Sequence, residues 1–179
     1  MFLQAIGDLP RTDRTRIVLR KDLPGREDID EILRQSVPGA DACVLPGPTD
    51  GQARTCVLGL EGIDESLPLT IGACDNGALY DQQLFARMCA GADCDVLVWG
   101  VRGHPHARRR PEQYGWIAAD AVGRVTAVSV KTPLADPARD PIVTGTFTFR
   151  RTADLLACAR RLFARDGRVN GEFYVDSCL

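Results

Sequence analysis

No run of apolar residues approaches the ~20 that a membrane-spanning helix needs, and the first residues lack the charged-then-apolar pattern of an export signal. A cytoplasmic protein with no membrane partner is the expectation. An excess of charge of either sign is also missing: the formal net charge is -2, so no global basic field recruits nucleic acid. No C-x-x-C pair occurs among the seven cysteines, an odd number. Several lie inside apolar runs ("DACVL", "RTCVLGL", "TIGAC") and read as reduced thiols acting as small hydrophobes, ahead of zinc or disulfide roles. Neither G-x-x-x-x-G-K-[ST] nor G-x-G-x-x-G is present, which excludes a P-loop and a dinucleotide fingerprint. A nucleophile elbow is lacking too, so covalent catalysis has little support. With no internal repeat and no linker-like stretch, residues 1–179 read as one domain with a sizeable core.

What is there alternates between strand and helix patterns. "MFLQAIGDL" has helical spacing from residue 1, "TRIVLR" reads as a short buried strand, and "REDIDEILRQSV" puts Ile29, Ile32, Leu33 and Val37 on one helical face. "DACVLP" is the next strand, "GQARTCVLGLEGI" a helix, and "PLTIGAC" a buried strand running up to Asp75. "LYDQQLFARMCAG" is a helix, "CDVLVWGVR" a strand, and "YGWIAADAVGRVTAVSVK" a hairpin turning near Asp120 to Gly123. "PIVTGTFTFRR" is a strand, and "TADLLACARRLFARD" is an amphipathic helix with Thr152 as its expected N-cap. "NGEFYVDSCL" is apolar and reads as helical. This order predicts a three-layer α/β fold with a mostly parallel sheet.

Five segments carry the chemistry. Asp75, at the end of its strand and ahead of Asn76-Gly77, could present oxygens to a hard cation such as Mg²⁺ or simply cap its own turn. "PTDGQART" is a small-residue loop running into a helix, where free N–H groups favour anions or a planar ligand, although an ordinary loop capped by Thr49 or Asp50 is the favoured reading of the residues alone. "VRGHPHARRRPEQYG" holds both histidines and a run of arginines, and a solvated loop is the simpler reading than a metal or nucleic-acid site. Lys131 ends a hairpin strand and suits a phosphate. Glu172 and Asp176, four apart, would share one face of a helix, and a carboxylate suits sugar hydroxyls.

Taken in order, "PTDGQART", "IGACDNGALYD", "PEQYGWIAADAVGRVTAVSVKTP", "PIVTGTFTFRR" and "NGEFYVDSCL" resemble the sugar-phosphate nucleotidyltransferases, the NDP-sugar pyrophosphorylases, over about residue 40 to the end. Within that family the nearest flavour is the branch of capsule and surface-polysaccharide synthesis. The resemblance implies a Rossmann-like three-layer α/β/α fold. It also implies a reaction joining a nucleoside triphosphate to a sugar 1-phosphate with release of pyrophosphate, with Mg²⁺ as cofactor. By the same resemblance Gly51 and Gln52 would lie against the base, and Asp75 would hold the metal. Tyr114 and Gly115 would open the sugar-binding half, and Lys131 would approach the sugar phosphate. Gly145 and Glu172 would approach the sugar itself. The usual Glu-Lys-Pro is Val-Lys-Thr-Pro here, a departure at Lys131.

The resemblance further implies a first strand with a G-x-G-[TS]-R loop ahead of the first helix, and a segment with a second metal-binding aspartate after residue 179. Both ends therefore read as truncated, and triphosphate binding by this chain alone is expected to be poor. The alternative is a non-catalytic nucleotide-sugar-binding or regulatory module that keeps the fold. An uncovered sheet edge would favour homo-oligomers.

Overall fold

The computed structural model describes residues 2–37, 39–91 and 93–179, and its elements follow the predicted order. After the short helix α1 (Phe2–Gly7) come β1 (Thr15–Arg20) and β2 (Ala40–Leu45), which pair in parallel. The helix between them, α2 (Arg26–Ser36), supplies the crossover that parallel neighbours require. It opens with Glu27 and Asp28, where acids complement the helix dipole, and buries Leu33. The helix α3 (Gln52–Gly59) follows; Arg16 of β1 donates to its Gly59 carbonyl at 3.1 Å. Among the described residues no helix is long and apolar enough to cross a membrane.

A second sheet is organised around β7 (Ile142–Phe149). Its Phe147–Phe149 end pairs with β3 (Leu69–Ile71) on one edge and with β4 (Val96–Val101) on the other. Its Ile142 end meets Trp116 of β5 (Gly115–Ala119), which forms the predicted hairpin with β6 (Val125–Val130). Each of these pairings is antiparallel. The expected mostly parallel sheet is therefore corrected: β1 and β2 alone pair in parallel among the described strands. The cause is topological. Strands β3 and β4 are joined through α4 (Gln82–Ala90) and run the same way, but β7 inserts between them in the opposite sense.

Phe147 and Phe149 alternate into the core, where they meet Leu155 and Leu162 of α5 (Thr152–Ala164) and Phe173 and Val175 of the C-terminal segment. Thr152 is not the N-cap of α5. It is the first helical residue, and its hydroxyl and N–H both donate to the Leu67 carbonyl, at 3.0 and 2.7 Å. A tertiary acceptor has taken the group that a local cap would have used. At α4 the cap is local: the Asp81 carboxylate accepts from the N–H groups of Gln83 and Leu84 at 2.9 Å.

The cysteines are all free, but they are less uniformly interior than their apolar flanks suggest. Cys74 and Cys89 are exposed, whereas burial pushes the Cys56 and Cys178 thiols up to about 12. Because the thiolate is the nucleophile, iodoacetamide at about pH 8 should label Cys74 first in the native protein. Cys56 and Cys178 should react only after unfolding. Peptide mass mapping before and after denaturation checks this, and early labelling of Cys56 would contradict the packing of α3 on α5.

Candidate functional site

The loop before α3 is shaped by close backbone approach. Gly51 sits at φ +124°, and a Cβ there would lie 2.5 Å from the Phe173 backbone. Phe173 N–H donates to the Asp50 carbonyl at 2.8 Å, and its carbonyl accepts from Ala53 N–H at 2.9 Å. One of the unpaired N–H groups at the start of the helix is thus taken by the chain itself. No side chain caps this helix; the Thr49 hydroxyl instead donates to the Gly51 carbonyl at 3.0 Å.

Charge reinforces the clamp. The Asp50 carboxylate accepts from Arg54 at 3.1 Å and from Arg168 at 2.9 Å. The Arg54 guanidinium lies 3.8 Å over the Phe163 ring and that of Arg168 lies 4.1 Å over Phe173. Desolvation pulls the Asp50 pKa upward, but the hydrogen bonds from the two arginines together outweigh it and hold the carboxyl below the usual range.

Further contacts gather on β7. The Gln52 amide reaches the Gly145 carbonyl at 3.4 Å, and Gly145, at φ +80°, lies against Ala73. The Asn76 amide donates to the Thr144 carbonyl at 3.1 Å. Gly51 with Gln52, Gly145 and the Asp75 loop are thus brought together from three distant stretches. Asp75 itself is not at a strand end: β3 stops at Ile71, where Leu9 closes on Gly72, and Asp75 follows in an exposed bend. Its only hydrogen bond among the described residues is a long one, 3.3 Å from the Asn76 amide. An open carboxylate of this kind fits a Mg²⁺ that keeps waters and takes its other ligands from phosphates. It does not make an all-protein cage, and the described residues contain no group of three His, Cys, Asp or Glu that could hold a metal.

A second group forms around the hairpin. Tyr114 accepts from Lys131 N–H at 3.0 Å, and Lys131, at φ +59°, donates its ammonium to the Gln113 carbonyl and holds it 5.0 Å from the Tyr174 ring. Gly115 lies directly beneath the Asp176 carboxylate and beside Val143 of β7; a side chain there would collide with Oδ2 of Asp176. Lys131 therefore lies beside Tyr114 and Gly115, and its ammonium is already engaged by the Gln113 carbonyl.

The C-terminal segment differs from expectation. It is not helical before residue 176. Asn170 and Gly171, at φ +51° and +84°, make a tight turn across which Val169 and Glu172 exchange two backbone hydrogen bonds. Asn-Gly is the strongest short hairpin signal, and it is the one that the apolar pattern of "NGEFYVD" obscured. Glu172 and Asp176 consequently do not share a helical face: Glu172 is exposed and Asp176 is 8% exposed. Burial pushes the Tyr174 hydroxyl up to about 12, with the nearby Glu172 carboxylate adding to the effect. The "HPHARRR" stretch is the expected solvated loop at His106 and Arg108 to Arg110, which are exposed, with one residue tucked in. Ala107 is buried with Trp116 and Ile142, and the His104 ring lies 5.6 Å from Tyr114.

With its hub strand and gathered loops, the chain has the α/β fold of NDP-sugar pyrophosphorylases. It is similar to a nucleoside-diphosphate-sugar pyrophosphorylase from Vibrio cholerae RC9, with a TM-score of 0.69 at 20% identity over 91% of this chain and 65% of that one. It is also similar to HddC from Yersinia pseudotuberculosis, solved in complex with GMP-PN, with a TM-score of 0.56 at 18% identity over 80% of this chain. The chain thus spans 65% and 58% of the lengths of these two solved chains. No family model and no curated protein matches it.

Two outcomes follow for the clamp. Gly51→Ala should destabilise the fold by about 3 kcal/mol or more, read by urea unfolding, because the new Cβ meets backbone and not a movable side chain. Asp50→Asn should cost about 1 kcal/mol at neutral pH, since solvent screens these half-exposed ion pairs. The folded pKa of Asp50 is depressed, so its contribution is present above about pH 4 and lost as pH falls through the folded value. The gap between variant and wild type should therefore close on acidification, and a gap that persists would place the stabilisation elsewhere.

Proposed function

We propose that this chain is a sugar-1-phosphate nucleotidyltransferase domain, coupling a nucleoside triphosphate to a sugar 1-phosphate to give an NDP-sugar and pyrophosphate for surface polysaccharide synthesis. The observation that carries the reading is the convergence on Val143 to Gly145 of β7. There Gln52, Asn76 and Gly115 with its covering Asp176 arrive from separate segments, in a fold that a pyrophosphorylase shares. The HddC complex with GMP-PN supports a nucleotide ligand on that fold.

In this reading Gly51 and Gln52 form the wall for the base. Gly51 has no side chain to fill the space, and Gln52 is steadied by the Gly145 carbonyl. Tyr114, Gly115, Gly145 and Glu172 line the sugar half, with Lys131 as the fixed cation toward the sugar phosphate. Asp75 would hold Mg²⁺, which when bound offsets the charge of phosphate oxygens and orients them. A sugar phosphate oxygen attacks the α-phosphorus in line and pyrophosphate leaves, so the residues need only align two anions and reduce their repulsion. No nucleophilic side chain is required.

Pyrophosphate release from a panel of nucleoside triphosphates and sugar 1-phosphates, with and without Mg²⁺, tests this directly. In the full-length protein one pairing should turn over only with the metal, whereas this chain alone should bind triphosphate poorly. Asp75→Asn should slow it about a hundredfold while leaving thermal stability unchanged, because Asp75 makes no contact the fold needs. Ligand binding without turnover would favour the non-catalytic module, and no binding from any pairing would end both readings.

A further inference from the structure

The loop that joins β4 to β5 carries Arg102, Arg108, Arg109 and Arg110 against one acid, Glu112, in a chain whose net charge is -2. Arginines elsewhere have carboxylate partners, as Arg16 has Asp41 and both Arg54 and Arg168 have Asp50. Arg108, Arg109 and Arg110 are exposed, and among the described residues their side chains have neither an ion pair nor a hydrogen bond. Three adjacent like charges without partners stabilise no part of the fold. The backbone beneath them is nonetheless fixed. Ala107 is buried against Trp116 and Ile142, and the N–H groups of Arg109 and Arg110 both donate to the His106 carbonyl at 3.0 Å. The Trp116 indole N–H donates to the Pro111 carbonyl, also at 3.0 Å. The charges are therefore held in one place.

That place is the rim of the candidate site. Strands β3 and β4 run the same way along β7, so the loop after β4 leaves the sheet at the same end as the loop carrying Asp75. It starts at Val101, which pairs with Ile142, and ends at Gly115, which lies beside Val143. A strand advances about 3.3 Å per residue, which puts Ile142 about 10 Å from Gly145, where Gln52 reaches. That span is about one Debye length at ordinary ionic strength, so charge on the loop is only partly screened at the site. The nearest acids do not cancel it: the Asp136 and Asp140 carboxylates accept from backbone N–H groups of their own turn, at 3.1 and 2.9 Å. Exposed, unpaired charge of one sign beside a cleft raises the arrival rate of ligands of the other sign.

We propose that Arg108, Arg109 and Arg110 form an electrostatic collector that steers phosphate-bearing substrates to the site without contacting them once bound. The proposal rests on the nucleotidyltransferase reading and gives a task to a loop outside its expected residue set. Both reactants of that reading are anions, and Asp75 and Glu172 at the site would repel them as they approach. Positive charge on the rim offsets that repulsion during the encounter. The effect scales with ligand charge: a triphosphate gains most, a sugar 1-phosphate less, and an uncharged sugar nothing.

Stopped-flow binding of a fluorescent nucleoside triphosphate to the full-length protein, with isothermal titration of sugar 1-phosphates and the free sugar, provides the test. Replacing all three residues (Arg108→Gln, Arg109→Gln, Arg110→Gln) should slow triphosphate association about tenfold at about 20 mM salt. The gap should shrink to within about twofold at about 0.5 M salt, and dissociation should stay within about twofold throughout. Affinity for sugar 1-phosphate should fall about threefold at low salt, and affinity for the free sugar should not change. Arg109→Gln alone should give part of the same slowing, and it decides by the same comparison if the triple variant does not fold. Unchanged association at low salt overturns the proposal while the function stands. A loss that persists at high salt, or that lies in dissociation, overturns it as well, by making the arginines direct contacts. Retention of single-stranded RNA by wild type and not by the variant, with substrate rates equal, overturns it in favour of nucleic acid. Wild type that binds no phosphate-bearing ligand overturns the functional reading, and this proposal with it.

Discussion

The two backbone hydrogen bonds of Phe173, one to the Asp50 carbonyl and one from Ala53 N–H, set the geometry on which the rest of the site depends. They form only because Gly51 leaves room for another backbone to pass within contact distance. Through them the C-terminal segment is tied to the start of α3, and the buried side chains of Phe173 and Val175 then follow into the core. Asp176 and Tyr174 inherit their positions from the same anchor. A loop near residue 50 and a turn near residue 176 thus become parts of one surface.

Electrostatics divides that surface into two kinds of environment. Around Asp50, half-exposed charges are paired and stacked on aromatic faces, an arrangement that stiffens the loop at modest energetic cost. Around Asp176, a carboxyl is shut from solvent with one oxygen unpaired, which stabilises nothing in the empty chain. Paired charge explains rigidity at Asp50, whereas burial pushes the Asp176 carboxyl up toward its neutral form.

Long periodic elements were legible in the sequence because their apolar spacing encodes which face is buried: α2, α5, β4 and the β5–β6 hairpin lie where the pattern puts them. Pairing partners were not legible. Nothing in "PIVTGTFTF" says that it will separate two strands that run in parallel, since that depends on contacts between residues about 80 apart. The Thr152 hydroxyl was misread for a similar reason, as a tertiary carbonyl outcompeted the local cap. The end of the chain failed differently. A local signal, Asn170-Gly171, was present and outweighed by the apolar residues after it, so a hairpin was taken for a helix. Of the site residues, Gly51, Gln52 and Gly145 do assemble, whereas Glu172 and Asp176 part company.

The placement of Lys131 shows how such a site can manage with few residues. A lysine at φ +59° occupies a backbone region that side chains disfavour, and it is kept there by its N–H on the Tyr114 carbonyl. The ammonium is then held by the Gln113 carbonyl and faces the Tyr174 ring, so its position is set before any ligand arrives. A cation fixed in advance loses little freedom when an anion binds, and it offsets negative charge without reorganising. The same backbone turn brings Lys131 toward Asp176, whose carboxyl it partly steadies in the charged form.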